Sequence, residues 1–430
     1  CLVGSEMCIR DSPNIDETLY YGRLENGLTV YFIKRTGYSE KTAMLTVDFG
    51  SLDNRLTVDD KSTIAPEGIA HFLEHKLFED KTGEDISLAF TQLGAETNAF
   101  TTFDKTSYFF STAKAFSKGL KLLQSFVLSA HFTDESVNRE KKIIEQEIDM
   151  YQDDPDYRAY SGILQNLFPD TSLANDIAGT KESIQDITKA LLDAHHSYFY
   201  HPSNMSLLVI GDIDVDEIFA AIQTFQKALP SSEEKMVIVE ELHHYPVIPS
   251  SSIDMDVATA KLVVGFRGHL VLDNYSLLTY RVALKLLLAM LLGWTSKTYH
   301  EWYEEGKIDD SFDIEIEIQD DFQFILISLD TAEPIAMSNH IRRRLTDIRQ
   351  SQELTDKHLT LLKQEMYGDF IQSLDSIDHL TSQFNLYLSD KETYFDLPRI
   401  IETITLTDIL VIGEAFFEEA DVSDFTVFPK

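Results

Sequence analysis

The chain has 430 residues, 43% hydrophobic and 25% charged, a globular composition with length enough for two cores of ordinary size. Its 36 basic and 72 acidic residues leave a formal charge of −36, which repels a phosphate backbone and argues against nucleic-acid binding; the surplus solvates the surface and would also attract cationic peptides. No stretch approaches the roughly 20 apolar residues of a membrane span, and the longest apolar run, VALKLLLAMLLGW, is broken by Lys285.

The first twelve residues, CLVGSEMCIRDS, look like a translated sequencing-library adapter and are set aside in reading the fold. Both cysteines, Cys1 and Cys8, fall in this stretch. The rest of the chain can build neither a disulfide framework nor a thiolate metal site, which fits a reducing cytoplasm.

From about Tyr20, GLTVYFIKR and KTAMLTVDFGS read as strands. A helix follows, with Pro66 suited to its first turn and Ile69, Phe72, Leu73 and Leu77 spaced for one buried face. AETNAFTTF and TSYFFSTAK predict two more strands, then helices run over about 117–130, 134–151 and 184–200. NMSLLVIGDID reads as a buried strand and VDEIFAAIQTFQKAL as a helix closing an N-terminal domain, residues 17–228. Residues 229–257, with three prolines and a run of serines, are the expected linker.

Beyond the linker, in a C-terminal domain of residues 258–430, the order of elements begins again. AKLVVGFRG is a strand, 276–293 a helix followed by a shorter one, and FDIEIEIQ and FQFILISLD a strand pair. Helices over about 333–350, 354–388 and 406–419 precede a last strand, DFTVF. The recurrence predicts two related α+β halves.

HFLEH, residues 71–75, carries the chemistry. Residues four apart on a helix share a face at about 6 Å, so His71 and His75 can present imidazoles to one cation while Glu74 reaches a water beside it. Zinc suits two imidazoles and a carboxylate. Five residues are a modest signal alone, but NREKKIIEQEIDMY adds Glu140 and Glu147 two turns apart on one face, with Val137, Ile144 and Tyr151 along the same stripe. Carboxylates on an apolar helix face need a partner, which a metal would supply. The competing account, that these glutamates only solvate the helix, fits Glu145 better than Glu147.

The inverted motif His-x-x-Glu-His, followed some seventy residues later by Glu-x6-Glu, resembles the M16 metallopeptidases (pitrilysin, insulin-degrading enzyme and mitochondrial processing peptidase type). The likeness to the family's bacterial YmfH-like branch runs from about residue 20 to the C-terminus. It is carried by GIAHFLEHKLFE, GAETNAFTTFDKTSYFFST, IIEQEIDMYQDDPDYR, DIAGTKESI, YHPSNMSLLVIGD and YEEGKIDDSF.

This resemblance implies two α/β domains of the LuxS/MPP-like type, each an antiparallel-rich mixed sheet covered by helices. It implies Zn2+ held by His71, His75 and Glu147, Glu74 as general base, and Glu140 as the carboxylate behind the ligands. Asn98 and Ala99 match residues that hold an extended peptide substrate by strand addition. The activity implied is that of a zinc metalloendopeptidase cutting small or precursor peptides.

One departure stands out. The family pattern Arg-x3-Gly-x2-Tyr completes the site from the C-terminal domain, but here Trp302 replaces the Arg and Asp309 the Tyr around Gly306. The expected assembly is therefore a heterodimer with a zinc-less (YmfF-like) relative, with a homodimer second. The alternative is a peptide-binding partner that retains zinc without hydrolysis.

Lesser features read blandly. His195, His196 and His201 suit packing better than a second metal site, and His243 and His244 take no role. In YQDDPDYR, a helix stop at Pro155 is simpler than a calcium loop.

Overall fold

The apolar runs of the N-terminal half pair into a seven-stranded sheet in the computed structural model, which describes residues 7–12, 15, 17–58, 60–230, 237–269, 274–319, 321–346, 348–388 and 392–430. The chain opens with β1 (Cys8–Ser12), β2 (Glu17–Arg23), β3 (Thr29–Lys34), β4 (Lys41–Val47), β5 (Arg55–Val58) and β6 (Lys61–Ile64). Next come α1 (Ile69–Leu77), α2 (Ile86–Gln92), β7 (Ala95–Thr101), β8 (Thr106–Thr112), α3 (Phe116–Val127), α4 (Asp134–Asp153) and α5 (Pro155–Leu167). They are followed by α6 (Lys181–Gln185), α7 (Lys189–Phe199), β9 (Met205–Gly211), α8 (Val215–Lys227) and β10 (Val237–Val239).

The sheet order is β1-β2-β3-β9-β4-β8-β7, so β4 and β9 are central and almost wholly buried, whereas β7 is an edge. Of the twelve residues set aside from the sequence, Cys8–Ser12 pair antiparallel with β2 at the opposite edge. The helix expected over 184–200 is two helices, because the Thr188 side chain accepts from the Leu191 amide and caps α7 afresh.

The second sheet is made by β11 (Ser250–Met255), β12 (Lys261–Arg267), β13 (Asp313–Ile318), β14 (Gln323–Asp330) and β15 (Asp421–Pro429). The helices of this part of the chain are α9 (Leu277–Leu292), α10 (Lys297–Glu304), α11 (Pro334–Thr346), α12 (Asp356–Ser373), α13 (Ile377–Tyr387), α14 (Leu397–Thr403) and α15 (Leu406–Glu419). The helix expected over 354–388 breaks between α12 and α13, where Ser376 Oγ accepts from the His379 amide.

Strands β10-β5-β6 form a small three-stranded sheet, and the two larger sheets repeat one topology. In the first, β3 runs parallel to β9, and β9-β4-β8-β7 follow antiparallel. In the second, β11 runs parallel to β15, and β15-β12-β14-β13 follow antiparallel. The connection from β4 to β7 carries α1, and the corresponding connection from β12 to β13 carries α9, a leucine-rich helix without a single His, Asp or Glu. No single helix among the described residues is long and apolar enough to cross a membrane.

The compact units are not the contiguous halves expected from the sequence. One contains the described residues up to Ile148 with Asp176–Glu240 and Leu374–Leu386; the other contains Asp149–Asn175, Glu241–Ser373 and Tyr387–Lys430. Packing explains both exchanges. In the second unit, Ile163 and Leu167 of α5 fill the space over Gly265 of β12, and the Phe425 ring of β15 closes on Gly162. In the first unit, Asn385 of α13 bonds Thr46 Oγ1 (3.0 Å) on β4 and Ser107 Oγ (3.3 Å) on β8, and Phe384 packs against Tyr31. The expected linker 229–257 also needs correction. Residues 231–236 lie outside those described, but 250–255 form β11, and the Tyr245 carbonyl accepts from the buried Arg267 guanidinium (2.8 Å).

Candidate metal centre

The helix bearing the motif begins at Gly68, whose φ of 85° lies in the left-handed region. A Cβ there would stand 2.4 Å from the Ala178 carbonyl oxygen, and Ser183 Oγ donates to the Glu67 carbonyl (3.0 Å). The loop DIAGTKESI thus seats the start of α1. Ile69, Phe72, Leu73 and Leu77 then bury into the core, while His71 and His75 turn toward α4.

There they meet Glu147. His71 Nε2 lies 3.6 Å from Glu147 Oε1, and His75 Nε2 lies 3.6 Å from Oε2. One donor atom from each of the three residues falls within 4.8 Å of the others, the one such group among the described residues. At 3.6 Å these pairs are too long for hydrogen bonds. They match the separation of about 3.4 Å between two ligands each about 2.1 Å from a tetrahedral ion. The donor set therefore fits zinc.

Behind the ligands, His75 Nδ1 donates to Glu140 Oε1 (3.0 Å), which leaves Nε2 as the lone-pair nitrogen. Lys76, only 1% exposed, donates from Nζ to Glu79 Oε2 (2.5 Å) and stands 3.7 Å from Glu140 Oε2. Glu74, 8% exposed, accepts at Oε2 from Thr101 Oγ1 on β7 (2.5 Å).

Charge states follow from these neighbours. Burial, helped by His75, holds His71 neutral with its pKa lowered to about 3. Burial pulls His75 down too, but the hydrogen bond and charge of Glu140, with the charges of Glu74 and Glu147, leave it above the ordinary value. Burial raises Glu74, with Glu147 adding to the rise and the Thr101 hydroxyl and His75 opposing it.

A comparison with known proteins decides what this centre belongs to. Residues 35–181 match the family profile Insulinase (Peptidase family M16), and residues 186–366 match Peptidase M16 inactive domain. The uncharacterized zinc protease YmfH of Bacillus subtilis is 36% identical over 400 residues, covering 92% of this chain and 93% of that protein. The chain belongs to the M16 peptidase family.

Among solved structures, an M16-like peptidase from Alicyclobacillus acidocaldarius superposes with a TM-score of 0.88 at 30% identity, covering 99% of each chain. The zinc protease PqqE of Helicobacter pylori is 24% identical over 95% of this chain and 91% of that one. M16 relatives are thus named zinc proteases, in keeping with the ion the donor set suits.

The expected M16 peptide-binding residues, Asn98 and Ala99, lie on edge strand β7. Thr102 N–H donates to the Lys105 carbonyl (2.8 Å), so in register the pairs Phe100–Ser107, Asn98–Phe109 and Glu96–Ser111 also exchange hydrogen bonds. The N–H and C=O groups of Ala95, Thr97, Ala99 and Thr101 consequently point away from β8. Ala99 is thus the residue whose main chain meets the edge, and its N–H is held by the exposed Asn98 side chain (2.9 Å).

The stretch that departs from the M16 pattern sits in the second unit, within the match to the inactive domain. Trp302 is 5% exposed, its ring against Phe312 and His340. Asp309 Oδ1 accepts from the Ser311 amide (2.9 Å) and hydroxyl (2.5 Å). Both residues are engaged in local structure.

The three histidines around SYFY are engaged locally. His195 Nδ1 donates to the Leu191 carbonyl (2.8 Å), His196 Nε2 to the Val127 carbonyl (2.9 Å), and His201 bonds Ser203 Oγ (2.6 Å). Asp154 caps α5 with Pro155 at its first turn, so YQDDPDYR is a helix junction. Sequence reasoning overlooked Lys76 and Thr101. A cation three residues after Leu73 and four after Phe72 falls on the apolar face of α1, a signal that could have marked Lys76; Thr101 carried none.

Proposed function

We propose that the chain is the zinc-bearing subunit of a metalloendopeptidase that hydrolyses extended peptides, small peptides or precursor tails among them. The observation that carries this reading is the convergence of His71, His75 and Glu147 beside Glu74, next to an open strand edge. His71, His75 and Glu147 would hold the ion, which when bound polarises a scissile carbonyl and lowers the pKa of water. Glu140 orients His75 through Nδ1. Glu74 takes the proton of the attacking water and returns it to the leaving amine. Ala99 and its strand neighbours pair with the substrate main chain, so the pose depends on backbone and sequence is read weakly.

With Trp302 and Asp309 in place of the Arg and Tyr, catalysis in this reading waits on a second chain in the cytoplasm. A zinc-less M16 (YmfF-like) relative that keeps both residues is the first choice and a second copy of this chain the next. Two measurements test it: turnover of a quenched peptide library by the zinc-loaded chain, alone and with such a relative, and size exclusion of the same mixtures. Cleavage that Glu74→Gln abolishes is expected. Full zinc content with no cleavage in any mixture would leave the non-hydrolytic peptide-binding reading in its place.

A further inference from the structure

We propose that Thr101 is the positioning residue for Glu74, and that it ties the orientation of the base to the strand on which a peptide pairs. This inference rests on the peptidase reading above.

A carboxylate only accepts hydrogen bonds, so the single hydrogen of the Thr101 hydroxyl is committed to Glu74 Oε2 at 2.5 Å. Among the described residues no group donates to Oε1. The bond therefore selects which oxygen remains open to take a proton. It also restrains a side chain with three rotatable bonds that would otherwise be free to swing.

Thr101 is itself held. It is the last residue of β7, paired with Thr106 of β8, and Thr106 Oγ1 lies 3.4 Å from its hydroxyl. Thr106 is fully buried and donates to the Phe49 carbonyl (2.8 Å), so the wall behind Thr101 has no slack. The N–H and C=O of Thr101 face the open edge, as those of Ala99 do. A peptide pairing along β7 thus stiffens the residue that aims the base, and main-chain register is transmitted to Glu74 through one hydroxyl.

The test compares Thr101→Val, which keeps shape and removes the donor, with Thr101→Ser, which keeps the donor. Misplacement of a reacting group on this scale costs about 10- to 100-fold in kcat. The Val variant should show that loss with KM and zinc content unchanged, and the Ser variant should stay within about threefold of the parent in kcat. An unaltered kcat in the Val variant, or an equal loss in both, would overturn the proposal. Crystal structures of the zinc-loaded variants give a second readout, with the Glu74 carboxylate displaced in the Val variant and in place in the Ser variant. If the zinc-loaded parent shows no turnover either alone or mixed with a zinc-less relative, the peptidase reading fails, while an unmoved Glu74 in the Val crystal would still dispose of the positioning role separately.

Discussion

His75 and Glu140 face each other across 3.0 Å, with the imidazole Nδ1 as donor, so the tautomer of a metal-facing histidine is set by a carboxylate one helix away. Removing that charge weakens both the orientation and the basicity of the ring. Glu140→Gln should lower zinc affinity about 10- to 100-fold with the ligands intact, a loss typical of such supporting carboxylates. Chelator competition measures it, and an unchanged affinity would strip Glu140 of this part.

Protons compete with zinc at the same ring. Burial lowers the His75 pKa, but Glu140 and the charges of Glu74 and Glu147 outweigh it and leave the group above its ordinary 6.5. Zinc must displace that proton, so affinity should fall as pH drops, starting above pH 6.5 and approaching about tenfold per unit. Titration with a competing chelator between about pH 8 and about pH 5.5 reads the onset. Affinity flat across that window would mean that His75 is already neutral.

Glu74 and Glu147 should separate cleanly. Glu147→Gln removes a ligand and should cost zinc more than the roughly 100-fold upper range of a supporting residue. Glu74→Gln should keep zinc and lose about 100- to 10,000-fold in turnover, the scale of general-base catalysis. Metal analysis and peptide hydrolysis on the same preparations distinguish the two roles, and surviving activity in Glu74→Gln would remove it as the base.

Core histidines give the first unit a pH dependence of its own. Burial holds His196 at about 4 against 6.5, despite its bond to the Val127 carbonyl. Between those pH values the unfolded chain binds a proton that the folded one does not, so stability is intact above 6.5 and declines as pH falls toward 4. The full loss is about 3 kcal/mol. Denaturant melts should show His196→Gln with a shallower decline over that window, and parallel profiles would refute it.

Gly68 should tolerate no side chain. A Cβ at 2.4 Å from the Ala178 oxygen, on a backbone with φ of 85°, adds strain of about 1–3 kcal/mol or forces the 176–184 loop away from α1. Gly68→Ala should lower the melting temperature and zinc affinity together. An unaltered melting curve would show that the loop yields freely.

What the sequence determines by itself is what lies close along the chain. The four-residue step from His71 to His75, the seven-residue step from Glu140 to Glu147 and the alternation in TNAFT and DIEIEI each follow from the period of one element. The repeated order of strands and helices is legible for the same reason, and so is the loss of the Arg and Tyr around Gly306.

Tertiary structure alone decides the rest. Nothing local in PDYRAYSGILQNL states that α5 covers β12 and β15, nor in the serine run of 250–255 that it forms a strand beside β15. The bond from Thr101 to Glu74 and the approach of Lys76 to Glu140 join residues from separate elements. Periodicity orients a side chain within its own helix or strand, but which partner it meets there depends on packing between segments far apart in the chain.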